Sequence, residues 1–112
     1  MREPRLQIHP AVEDDDLADI VSYILQDNPV AAKAVNRSIR SMFTVLASQP
    51  LLGTDIHPMR RALKGIRMIP VTEYRNYLIY YRPLPKNAGV RILYVLHAAR
   101  DAVTFAREHR RR

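Results

Sequence analysis

Between Tyr74 and Asp101 the chain carries two runs rich in β-branched and aromatic residues. These are Tyr-Arg-Asn-Tyr-Leu-Ile-Tyr-Tyr-Arg-Pro and Val-Arg-Ile-Leu-Tyr-Val-Leu-His, separated by Leu-Pro-Lys-Asn-Ala-Gly. Such side chains fit a pleated, half-buried surface, and Pro83, Pro85, Asn87 and Gly89 punctuate the stretch between them, so the segment reads as an antiparallel hairpin with a longer loop. By strict alternation, Val90, Ile92, Tyr94 and Leu96 share one face of the second strand, while Leu93 and Val95 lie on the other between Arg91 and His97. Both faces need cover at mid-strand, yet one has a cation at one end and an imidazole at the other, which reads as a half-open working face.

The elements that must cover this hairpin precede it. Arg5 to His9 alternates, with Leu6 and Ile8 on one side, and stops at Pro10, as a short first strand does. Leu17, Ile20, Val21 and Ile24 recur at helical spacing within a helix predicted from about Val12 to Gln26, whose first turn is crowded with carboxylates. The helix dipole favours negative charge there, so Glu13 to Asp16 read as a helix start rather than a metal site. Asn28 can cap a second helix with Pro29 in its first position, and Ala31, Ala34, Val35, Ile39, Met42, Phe43 and Leu46 carry its apolar stripe to Ser48. Pro50 to Pro58 reads as a loop and Met59 to Gly65 as a basic approach to the sheet. Ile66 to Val71 reads as another strand, Thr72-Glu73 as a tight turn into a strand from Tyr74, and Ala102 to Arg110 as a short last helix or a basic tail. The order is strand, helical hairpin, then a three-stranded antiparallel meander: an α+β fold in one domain spanning residues 1–112.

Charge restricts the partners. The net charge is +7, with acidic residues gathered between Glu13 and Asp19 and a strongly basic chain from Arg60 to Arg112, which calls for an anionic partner, whether nucleic acid or acidic protein. With no cysteine there is no disulfide, thiolate nucleophile or cysteine metal site. Neither a membrane-length apolar run nor a secretory leader is present, so a cytoplasmic protein is expected.

Catalytic signatures are sparse. Gly53, Gly65 and Gly89 do not form a phosphate-cradling loop, and His9, His57, His97 and His109 lie too far apart in sequence for a metal motif, so no cofactor is expected. What stands out is a basic and aromatic constellation: Arg60, Arg61, Lys64, Arg67, Arg75, Arg82, Arg91, His97 and Arg100 among Tyr74, Tyr77, Tyr80, Tyr81 and Tyr94. Guanidinium forks suit phosphate or carboxylate, and phenol rings offer stacking faces; half-buried core tyrosines with a solvated arginine rim would give the same pattern. Arginine cannot transfer protons at neutral pH, so metal-free RNA cleavage would need His97, Lys64 or a tyrosine as acid and base. Arg100-Asp101 reads as a local ion pair closing the last strand.

Gly65-Ile66-Arg67, Pro70-Val71, Tyr77-Leu78-Ile79-Tyr80-Tyr81-Arg82 and above all the ending Val95-Leu96-His97-Ala98-Ala99-Arg100-Asp101 resemble the ParE/RelE superfamily of type II toxins, over nearly the whole chain and closer to ParE. Resemblance to ParE implies a small basic protein that inhibits DNA gyrase by binding, without being an enzyme. Resemblance to RelE implies cleavage of messenger RNA on the ribosome. RelE-like nucleases carry an arginine where Leu78 stands and a tyrosine after the last strand, where Val103, Thr104 and Phe105 offer none. Either branch implies a cognate acidic antitoxin that folds onto the toxin along the two helices and the sheet edge. Arg60, Arg61, Lys64, Arg67, Arg82, Arg91, His97 and Arg100 are the expected contacts to antitoxin or target. A plain nucleic-acid-binding module is the third reading.

Overall fold

The computed structural model describes residues 3–56, 64–101 and 111. Five strands form one mixed sheet, β1 (Arg5–Ile8), β2 (Thr54–Asp55), β3 (Arg67–Pro70), β4 (Tyr77–Pro83) and β5 (Gly89–His97), in the spatial order β1-β5-β4-β3-β2. The expected meander is present as β3, β4 and β5, while β1 runs parallel to β5. A parallel partner needs a long crossover, and the two helices provide it.

The first helix, α1, is wide and π-helical over Val12–Leu17 and α-helical over Ala18–Leu25. His9 starts it: its carbonyl accepts the Val12 N–H at 2.9 Å and its Nδ1 accepts the Ala11 N–H at 3.1 Å. The second helix, α2 (Pro29–Ser48), begins as its sequence requires, with Asn28 Oδ1 accepting the Ala31 N–H at 3.0 Å and Pro29 at the first turn. Ala32, Val35, Ile39, Phe43 and Leu46 are buried along one side of α2, with Ala31, Ala34 and Met42 only half-buried at its margin. They meet Val12, Leu17 and Ile20 from α1, and Ile79, Tyr81, Val90, Ile92 and Val95 from the sheet. Each fully buried side chain of this size contributes roughly 1.5–3 kcal/mol, so this layer is where most stability resides.

Three expectations need correction. The segment read wholly as a loop contains β2, whose two residues pair antiparallel with Arg67 and Met68 of β3. Its seat is built by Tyr81, whose hydroxyl accepts the Gly53 N–H at 2.7 Å and donates to the Pro50 carbonyl at 2.8 Å. Gly53 is needed there because a Cβ would lie 2.7 Å from that hydroxyl. The turn after β3 is longer than Thr72-Glu73, since Tyr74 and Tyr77 join successive hydrogen-bonded turns and β4 opens only at Tyr77.

The third correction matters most for function. Tyr80 pairs with Tyr94 but Tyr81 with Ile92, leaving Leu93 as an extra residue in β5. This bulge reverses the alternation beyond it. Val95 therefore joins Val90 and Ile92 beneath the helices, while Leu93, Tyr94 and Leu96 form a second cluster on the other face with Tyr80, Met68, Ile56 and Ile66. By the same reversal Arg91 and His97 fall on opposite faces, and the single half-open face flanked by both does not exist.

Candidate functional site

Helices α1 and α2 cover one side of the sheet, and the second cluster lies on the other. In β4, Tyr77, Ile79 and Tyr81 point to α1 and α2 and Tyr80 to the second cluster, so Arg82 shares with Tyr80 the face turned away from those helices. Arg91 lies directly across from Arg82, and Gln7 of β1 pairs with Arg91 on the far side. Lys64 closes the row, its carbonyl accepting from Arg82 Nη1 at 3.4 Å. Arg82 and Arg91 thus form a cationic band at the hairpin end of the sheet, with the Lys64 backbone beside it.

The other expected contacts go elsewhere. Arg67 faces the helix side and donates from Nη1 to the carbonyls of Gly53 at 2.6 Å and Leu51 at 3.3 Å, tying down the segment before β2. His97 stands six residues along β5 from Arg91, roughly 20 Å at about 3.3 Å per residue. Its ring meets Tyr77 edge-on with centroids 5.5 Å apart, and its Nδ1 accepts the Arg100 N–H at 3.1 Å. Asp101 closes the strand end by accepting the His97 N–H at 2.7 Å and pairing with Arg100 Nε at 3.4 Å, while the Arg100 guanidinium lies 5.6 Å from the centre of the exposed Tyr23 ring. Lys64 and His97 are therefore at opposite ends of the sheet and do not converge on one substrate atom. Arg60, Arg61 and the expected last helix lie outside the described residues.

Three residues at the site were not singled out in sequence. Asp16 belongs to the acidic run, but its side chain is only 7% exposed, and its Oδ2 accepts both the Val95 N–H at 2.9 Å and Arg111 Nη1. Its phase was legible: Val12, Asp16, Ile20 and Ile24 recur every four residues on the inward side of α1. Burial pushes the Asp16 carboxyl above its ordinary value, opposed by the hydrogen bonds from Arg111 and Val95. Arg111 also donates from Nη1 to the Leu93 carbonyl at 3.2 Å and from its backbone N–H to Tyr94 Oη at 3.0 Å, with its guanidinium 4.4 Å over the Tyr94 ring. His9 is the third. Burial, and then the charges of Arg91 and Arg111, hold its imidazole below the usual value. These long-range partners carry no local sequence signal, because each joins residues far apart in the chain.

A family model described as the ParE toxin of type II toxin-antitoxin system, parDE, matches residues 6–102. The chain belongs to the ParE toxin family. No curated protein matches it significantly. The matched span runs from β1 through the Arg100-Asp101 closure, so the helical hairpin, the cationic band and the strand-end cluster all lie within the ParE homology. Family membership makes the chain the toxin of a type II toxin–antitoxin system and implies an antitoxin partner. None of the helices among the described residues is long and apolar enough to cross a membrane.

Proposed function

We propose that this ParE-family toxin inhibits DNA gyrase by binding, as a single domain acting in the cytoplasm, and is held inactive by the antitoxin encoded beside it. The observation that carries the reading is the match to ParE over the whole sheet and helical hairpin. The geometry supports a binding role: Arg82 and Arg91 sit opposite each other on the face turned away from α1 and α2, beside the Lys64 backbone. Guanidinium groups remain charged at any physiological pH, so they grip carboxylates or phosphates without exchanging protons. On a chain of net charge +7 this band gives orientation to an otherwise diffuse attraction for an acidic surface.

The test is a supercoiling assay with purified toxin and gyrase. Supercoiling should stop and cleaved DNA should accumulate, and premixing with antitoxin should prevent both. Gyrase that supercoils normally at saturating toxin would end the proposal. Arg82→Ala should weaken the inhibition while leaving the melting temperature nearly unchanged, since among the described residues its guanidinium makes one long hydrogen bond, to the Lys64 carbonyl at 3.4 Å. Arg100→Ala tests the strand-end cluster in the same way.

A further inference from the structure

Arg82 of β4 and Arg91 of β5 stand directly opposite each other, and Gln7 of β1 continues the row on the far side of Arg91. Like charges placed across a strand pair repel, so this row is at its most stable with an anion between the two guanidinium groups. Arg82 is also held in place. Its Nη1 donates to the Lys64 carbonyl, and a Cβ on Gly65, which has φ +85°, would lie 2.6 Å from that nitrogen. Two residues before Gln7, on the same face of β1, Arg5 is exposed and paired with Gly89, and Lys86 is exposed in the loop between β4 and β5. The carboxylates of Glu13, Asp14 and Asp15 lie on α1, which packs on the opposite face of the sheet.

We infer that the row of Gln7, Arg91 and Arg82 is a contact for the phosphate backbone of duplex DNA, so that the toxin touches the DNA that gyrase holds as well as gyrase itself. The row spans two strand spacings, about 10 Å, which is the axial rise of about three nucleotides along one DNA strand. Guanidinium forks take phosphate oxygens in pairs and stay charged, and the Gln7 amide adds a neutral donor. A duplex presents its charges at a regular repeat, which a row of donors set by strand spacing can follow; carboxylates on a protein surface have no fixed repeat. Because the Gly65 and Lys64 backbone already positions Arg82, little side-chain freedom is lost on binding. The acids of α1, on the other face, turn the hairpin end toward a polyanion. Contacts of this kind go to phosphates and not to base edges, so they carry no sequence preference. This inference deepens the gyrase reading above and rests on it for the setting in which the DNA is met.

The test is fluorescence anisotropy of full-length toxin with two labelled DNA duplexes of unrelated sequence, at salt from about 50 to 200 mM, run beside the supercoiling assay. Both duplexes should bind alike. Arg82→Ala and Arg91→Ala should each flatten the fall of log affinity with log salt by about 0.9, so across that range the wild-type affinity should drop about twelvefold further than that of the double variant. Lys33→Ala with Arg37→Ala removes the same charge from exposed positions of α2 and should leave the slope as it is. Melting temperatures check that each variant is folded, and glutamine at 82 or 91 serves where alanine does not fold. No binding at the lowest salt, a slope that survives loss of both arginines, or equal flattening by the two double variants would overturn the inference. Gyrase inhibition that needs Arg82 and Arg91 while the salt slope on free DNA does not would assign the row to carboxylates of gyrase, refuting the DNA contact and leaving the gyrase reading standing. DNA binding that depends on the two arginines, with supercoiling unaffected, would sink the gyrase reading and keep the DNA contact.

Discussion

Removing one oxygen from the core tests how the segment before β2 is held. Tyr81 is fully buried, and its hydroxyl is the bridge between the Gly53 N–H and the Pro50 carbonyl, both in buried residues. Tyr81→Phe keeps the ring in place against Ile79 and Ile92 but leaves a donor and an acceptor without that partner. A buried polar group stripped of its partner costs about 1–3 kcal/mol, so the two together should cost about 2–6 kcal/mol. At about 4 °C per kcal/mol for a chain of this length, the melting temperature should fall by roughly 8–24 °C. Arg67 still holds the Gly53 carbonyl at 2.6 Å, so the loosening should be read first at the Gly53 amide, whose hydrogen exchange should accelerate ahead of that of β4 and β5. Scanning calorimetry and exchange together decide the matter. A drop below about 2 °C with the Gly53 amide still protected would refute the reasoning, because it would mean that a water replaces the hydroxyl at no cost.

Further tests address the pH response, the β1 junction and the core. Burial raises the phenols of Tyr77, Tyr80 and Tyr81 above 10.0, so from about pH 10 upward the unfolded chain loses protons that the folded one keeps. Urea midpoints should therefore fall as pH rises through that range, and these three groups should add no slope below about pH 9. Gly89→Ala should destabilise by about 2–4 kcal/mol in urea unfolding and free the Gln7 and His9 amides to exchange. The cause is that Gly89 has φ +151° and a Cβ there would run into the Arg5 carbonyl, its partner at the first β1–β5 pair. Leu46→Ala and Ile92→Ala, at residues fully buried on the two sides of the main core, should each cost roughly 2–5 kcal/mol and reduce toxicity through stability alone. Toxicity that falls with an unchanged melting temperature would count against that assignment.

By itself the sequence determined what local physics controls. The Asn28-Pro29 cap, the inward stripe of α2, the long-looped hairpin from Tyr77 to His97 and the family resemblance all rest on residues close together in the chain, where propensity and periodicity act directly. Tertiary structure alone decided which face each β5 side chain occupies, because one extra residue at Leu93 reverses the alternation and no single-strand pattern records a register shift against its neighbour. It also decided that β1 joins β5 in parallel, that Arg67 serves the segment before β2, and that Val95 and Arg111 are the partners of the inward-phased Asp16. Each of those outcomes couples residues far apart in sequence, and such coupling is set by which packing of helices on sheet leaves the fewest buried groups without partners.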